Sequence, residues 1–188
     1  GDAQNLDFQE TPGFLALRSE KPLKEAIAEG LSLGNRDAKI KQAMGPGASD
    51  FQMAVWMKEL SEIALLDHIF SQQDRIGNID YKWYVYYVDS KGRVKSDKLD
   101  DEVPRARMDA INFALKGNAG VELVQRSRLI DNDAGAKENY TNFTKRTKML
   151  EKIRHLAPET YKKLIDLDKD FAAQGDIYNF VKGQFGLS

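Results

Sequence analysis

Asp74, Arg75 and Asn78 fall within one short segment, Asp74-Arg-Ile-Gly-Asn78. Each brings a different capability. The carboxylate can take a proton from a hydroxyl or hold a cation, the guanidinium can neutralise an anion, and the carboxamide oxygen can add a neutral ligand to a metal. A second polar turn, Leu129-Ile-Asp-Asn-Asp-Ala-Gly135, carries Asp131 and Asp133 after another short apolar run. Alternate positions of an extended turn share a side, so these two carboxylates can converge. Hard oxygen donors of this kind suit magnesium or manganese, which take one or two protein carboxylates and share the rest of the shell with water or substrate phosphates. The two turns are read as one site, with Asn78, Asp131 and Asp133 as metal ligands and Asp74 left to orient a nucleophile.

The flanking elements must hold these turns. Ser49-Asp-Phe-Gln52 reads as a capping box, so a long helix is expected from there to about Phe70. Its apolar residues occupy more than one stripe, which predicts a central helix buried on several sides. Tyr81–Val88 is aromatic and β-branched enough to be a strand, placing the Asp74 turn at a helix-to-strand corner where rigid elements present a loop. The turn Asp89-Ser-Lys-Gly92 and the run Arg93–Ser96 complete a hairpin. Lys98–Val103 reads as a loop, Pro104 opens a helix with Met108, Ile111 and Leu115 inward, and Val121–Ile130 reads as a strand interrupted at Gln125-Arg-Ser-Arg128.

Before this core, Pro12-Gly13 reads as a turn, with Phe14, Leu15 and Leu17 as an apolar anchor. A short helix should follow Pro22, with Leu23, Ile27 and Leu31 on one face, ending near Gly34. Another should span Asp37 to Met44 and stop at Gly45-Pro-Gly47. After Asn139 every signal is helical. Phe143, Met149, Leu150, Ile153 and Leu156 line one helix, Pro158 starts the next, and Asp176 can cap the last. The expected class is α+β and mainly helical, a helical bundle with a small antiparallel sheet of two to four strands in mid-chain. Residues 1–188 are taken as a single domain, with 1–49 an N-terminal extension of a 50–188 core.

Composition narrows the functional classes. At 188 residues and 41% apolar content the chain can bury one good core. Its 28 Lys and Arg nearly balance its 29 Asp and Glu, so no global field recruits nucleic acid or an anionic membrane, and any anion must be held locally. The lack of cysteine excludes disulfides, zinc-thiolate sites and thiol nucleophiles, and fits cytoplasm and periplasm alike. No run approaches the roughly 18 apolar residues of a membrane span. The chain opens on Gly1 where a methionine would stand, as expected if upstream sequence has been removed.

The order of these motifs resembles the C-terminal lobe of the protein-kinase-like superfamily, closest to its atypical branches: phosphoinositide kinases, secreted-pathway kinases and their bacterial relatives. Asp74-Arg75-Ile-Gly-Asn78 is similar to their D-R-x-x-x-N catalytic loop, one residue shorter before the asparagine. Leu129-Ile130-Asp131-Asn132 is similar to their metal-binding I-D-N or I-D-F-G motif. The resemblance covers roughly residues 50–180. It implies Asp74 as catalytic base with Arg75 beside it, Asp131 as magnesium ligand helped by Asn78 or Asp133, and ATP as phosphoryl donor. Residues 1–49 hold no glycine-rich strand-turn-strand and no strand-borne lysine. The chain alone is therefore expected to be inactive or nearly so, with a missing N-terminal lobe or a partner chain completing it.

A non-catalytic reading stands beside this one: a helical interaction module in which Asp74-Arg75 is an ion-pairing turn and Asp131-Asn-Asp an Asx turn. The second turn is not an EF-hand loop, because Ala136 replaces its glycine and Asn142 its bidentate glutamate. His68 and His155 are read as structural. The aromatic strand is read as packing rather than as a base-stacking platform, there being no basic stripe beside it. Asn139-Tyr-Thr141 and Asn142-Phe-Thr144 match glycosylation sequons, a pattern too common to carry weight.

Overall fold

The structure, a computed structural model, describes residues 11–36, 49–70, 72, 79–99, 121–129 and 142–185. Two compact units divide the chain at His155. The helices expected over Asp37–Met44 and after Pro104 lie outside the described residues.

In the first unit, Pro12-Gly13 opens a helix rather than a turn: α1 spans Pro12–Arg18 with the proline in its first turn. Proline lacks an N–H that a helix start cannot use anyway, and its φ is already helical. The anchor expected there forms, with Phe14 and Leu17 fully buried. Helix α2 spans Leu23–Arg36. Ile27 is buried and Leu31 packs against the core as expected, joined by Ala26 and Gly30, while Leu23 at the helix start is 52% exposed. Gly30 sets the close approach. A Cβ there would stand 2.9 Å from the Pro12 carbonyl oxygen, 3.0 Å from Ala16 Cβ and 3.3 Å from Met53 Cε, so α2 comes closest to its neighbours where it has no side chain.

Helix α3, Asp50–Phe70, is the long helix expected. Ser49 Oγ accepts the Gln52 N–H at 3.1 Å, which makes one half of the capping box. The other half does not form, because the Gln52 carboxamide is engaged elsewhere. Nor is the helix covered by apolar neighbours all round. Met53, Met57, Ile63 and Ala64 are buried, but so are Gln52, Glu59, Ser61 and Asp67, while Phe51, Leu66, Ile69 and Phe70 are exposed. The core joins Phe14, Leu17, Ile27, Met53, Met57 and Met149, so α1, α2 and the residues after Asn142 cover only one side of α3.

Three antiparallel strands form the sheet: β1 (Ile79–Val88), β2 (Val94–Lys98) and β3 (Val121–Leu129), in the order β2-β1-β3. At the hairpin, Asp89 Oδ1 accepts the N–H groups of Lys91 and Arg93, both at 2.9 Å, and Gly92 takes the positive φ of 73° that the turn requires. Strand β3 is unbroken: Gln125-Arg-Ser-Arg128 pairs with Trp83 back to Asp80. Polar residues do not interrupt a strand whose partners satisfy them, and here they do.

The single helix expected after Asn139 is two short ones, α4 (Phe143–Arg146) and α5 (Met149–Lys152), followed by extended backbone. Lys148, at φ 52°, turns the chain between them. That turn lets Met149, Leu150 and Ile153 all reach the core. The extended end then ties to α1, where the Arg154 N–H donates to the Leu17 carbonyl at 2.7 Å and His155 Nε2 lies 2.8 Å from the Ser19 carbonyl oxygen. A carbonyl only accepts, so His155 carries its proton on Nε2 and serves a structural role.

The second unit is a helical hairpin of α6 (Pro158–Ala172) and α7 (Asp176–Phe185). Phe171 and Tyr178 meet edge to face at 5.6 Å. The Asp170 carboxylate accepts the N–H groups of Tyr178 at 2.8 Å and Ile177 at 3.4 Å, so the cap of α7 comes from α6 and not from Asp176. Among the described residues no helix is long and apolar enough to cross a membrane.

Candidate functional site

A strand at the edge of a sheet presents N–H and C=O groups that need partners. Helix α3 supplies them to β3. Gln52 Oε1 accepts the Gln125 N–H at 2.6 Å, and Gln52 Nε2 donates to the Gln125 carbonyl at 2.9 Å, so one carboxamide imitates the next strand. Two helical turns on, Glu59 Oε2 accepts the Ser127 N–H at 2.8 Å. Residues 125 and 127 point their main chain to the same side of the strand. The buried polar stripe of α3 thus replaces a fourth strand and fixes the helix along β3.

The other Glu59 oxygen, Oε1, accepts from Arg126 Nε, and Arg126 Nη1 donates to the Tyr86 hydroxyl of β1. Burial works against the Arg126 charge, but the bonds to Glu59 and Tyr86 outweigh it and raise its pKa above the ordinary guanidinium value. Tyr86 also packs edge to face on Phe51 at 5.4 Å, so its hydroxyl holds β3 while its ring joins the sheet to α3. Between Tyr81 and Val88 the strand is half-buried with exposed ends, without alternation of burial.

A second tie lies at the far end of α3. Asn142 is 1% exposed, and every polar atom of its side chain is used. Nδ2 donates to the Asp67 carbonyl at 2.6 Å and to the Gln72 carbonyl at 3.0 Å, while Oδ1 accepts the Lys145 N–H at 3.0 Å and caps α4. A residue so enclosed offers no acceptor for a glycan in this fold. Gln72 is itself buried, and its N–H donates to the Asp67 carbonyl at 3.3 Å.

Asp74, Arg75, Asn78, Asp131 and Asp133 all lie outside the described residues. Their flanks do not. One segment, 73–78, runs from Gln72 to Ile79, and the other, 130–141, runs from Leu129 to Asn142. Ile79 and Leu129 are ladder partners, so one end of each segment starts from the same rung. Gln72 and Asn142 are hydrogen-bonded, so the other two ends also start together. The residues that flank the two segments are thus paired at both ends. Among the described residues, no group of three or more His, Asp or Glu is placed to hold a metal ion.

The residues that fix this frame, Gln52, Glu59, Arg126 and Asn142, are not among the candidate site residues of the sequence, which marked Gln52 only as half of a capping box. A signal existed for the first two: a glutamine and a glutamate two turns apart share one face of a largely apolar helix, and polar groups on a buried face need partners. Asn142 is marked locally only as a helix cap for Lys145; its other partners are 70 and 75 residues away.

The fold these elements define is α+β and mainly helical, with a three-stranded antiparallel sheet. No protein-family model, curated protein or solved structure matches the chain.

Proposed function

We propose that this chain is the catalytic-loop and metal-binding lobe of an atypical kinase-like protein, serving magnesium- or manganese-dependent phosphoryl transfer from ATP. Asp74 orients the acceptor hydroxyl and takes its proton as the oxygen attacks the γ-phosphorus and ADP leaves. Asp131, with Asn78 or Asp133, would hold the metal, and Arg75 would neutralise the developing negative charge. The donor set fits the ion, since carboxylate and carboxamide oxygens are the ligands magnesium prefers. The metal supplies charge neutralisation at the phosphate oxygens.

One observation carries this reading: the two polar segments share both supports, at Ile79–Leu129 and at Gln72–Asn142. Asn78 is one peptide link from Ile79, and Asp131 is two from Leu129. Residues that must meet at one ion require such a common origin. Two unrelated turns do not. For one phosphate-bound ion to be shared, the Asp74 and Asp131 carboxylates are expected roughly 5–9 Å apart.

Thermal melts of the wild type, Asp74→Ala and Asp131→Ala, with and without Mg²⁺ or Mn²⁺ plus ATP, test it. The wild type should be stabilised by metal and nucleotide together, Asp131→Ala should lose that response, and Asp74→Ala should keep it. No response in the wild type, or an equal response in Asp131→Ala, overturns the reading in favour of a non-catalytic helical module. In that module each substitution costs only the ordinary loss of a turn, on the order of 1 kcal/mol.

A further inference from the structure

The two edges of the sheet are treated differently. The β3 edge is occupied at Gln125 and Ser127 by Gln52 and Glu59, as described above, whereas all five residues of β2 are exposed and no described strand lies beyond it. Which groups β2 offers follows from its hydrogen bonds. The Leu99 N–H donates to the Trp83 carbonyl and the Asp89 N–H to the Arg93 carbonyl, both at 2.9 Å, so the odd-numbered residues of this hairpin turn their main chain toward β1. By the alternation of an antiparallel ladder, Val94 and Ser96 turn theirs outward.

Self-pairing of such an edge about a two-fold axis has few registers, because the axis must pass through a residue. Charge selects among them. An axis at Lys95, Asp97 or Lys98 sets that charge against itself. One at Val94 sets Arg93 against Lys95 and engages only half the strand. The axis at Ser96 alone places Lys95 opposite Asp97 of the second copy, and by symmetry does so twice, with Val94 opposite the aliphatic stem of Lys98. It also makes Ser96 an outward-facing, hydrogen-bonded pair, as the ladder requires.

We propose that β2 is the pairing edge of a two-fold homodimer, in which two copies of the chain join their sheets antiparallel about Ser96. The occupant of the edge is then a second copy of this chain, and the product is a continuous six-stranded sheet whose outer edges are the two β3 strands, each held by its own α3. Exposed Val94, at 67%, and its ladder partner Val88, at 51%, form an apolar pair beside the new junction. The contact is a short strand with few apolar residues, so the dimer is weak and forms with rising concentration. It does not depend on the kinase-like reading.

Sedimentation velocity across a concentration series tests this. The wild type should show a reversible monomer–dimer equilibrium that weakens with salt. Lys95→Asp or Asp97→Lys each sets like charges opposite one another twice, and should raise the dimer Kd by about tenfold or more. The double variant Lys95→Asp/Asp97→Lys restores the complementarity and should recover most of the affinity. Ser96→Pro removes an N–H that points away from β1, so it should abolish the dimer while the melting transition of the monomer is retained. A wild type that stays monomeric up to millimolar concentration overturns the proposal. So does a dimer indifferent to the single charge changes, or one not recovered by the double exchange.

Discussion

Asn142 and Gln72 are 70 residues apart in the chain, and the Asn142 carboxamide donates to the Gln72 carbonyl at 3.0 Å. The residue after the second polar segment is thereby fastened to the residue before the first. Asn142→Ala removes this bond, the bond to Asp67 and the cap of α4. The expected cost is roughly 2–4 kcal/mol in urea unfolding, because the lost bonds lie in a buried site and one of them is a helix cap. Asn142→Asp is expected to be at least as damaging, since it keeps the cap acceptor but turns a carboxylate oxygen on two carbonyls. Both variants should speed proteolysis in 73–78 and 130–141 together. Cleavage that rises in only one segment would show that the tie is not shared.

The Glu59–Arg126 pair makes a different prediction, because its two members differ in burial: the side chains are 10% and 40% exposed. Glu59→Ala also orphans the Ser127 N–H, so it should cost about 2–3 kcal/mol. Arg126→Met should cost less, as it leaves the Ser127 N–H bonded to Glu59. A double-mutant cycle should return a coupling of only about 1 kcal/mol, discounted for solvent screening. A coupling near zero would make the edge bond to Ser127, and not the ion pair, the reason Glu59 is buried.

Gly30→Ala should destabilise the first unit by about 1–3 kcal/mol. The added methyl has nowhere to go between the Pro12 carbonyl, Ala16 and Met53. In isolation the same change favours a helix, so a stabilised variant in chemical unfolding would contradict the close approach of α1 and α2.

Acid should loosen the β1–β2 turn. The Arg93 main-chain bond, with that of Lys91 and the Arg93 side chain, holds the Asp89 carboxyl below its ordinary value. A folded pKa lowered below the unfolded one contributes stability that is fully present above the unfolded pKa and is lost as the pH falls through the folded one. Amide shifts of Lys91, Gly92 and Arg93 should therefore move together as the pH drops below about 4. Asp89→Asn should flatten that titration. A turn whose amides do not respond in the wild type would rule out this role for the carboxylate.

The sequence alone determined the elements that depend on local chemistry. Ser49 before an apolar run began α3, Pro158 began α6, and Tyr81–Val88 formed a strand, because caps, proline and β-propensity act within a few residues. It also singled out the two polar turns by residue type. What it could not decide was how polar residues inside these elements would be satisfied. Gln52 read as a capping partner for Ser49 and became a surrogate strand for Gln125. Gln125-Arg-Ser-Arg128 read as a break and became continuous strand, because Glu59, 68 residues before Ser127, met its edge. The run after Asn142 read as one helix and broke at Lys148, because three apolar residues had to face a core already shaped by α1 and α3. Each outcome turned on a partner far along the chain. The shared supports at Ile79–Leu129 and Gln72–Asn142 are of the same kind, since proximity between distant residues exists only once the chain has folded.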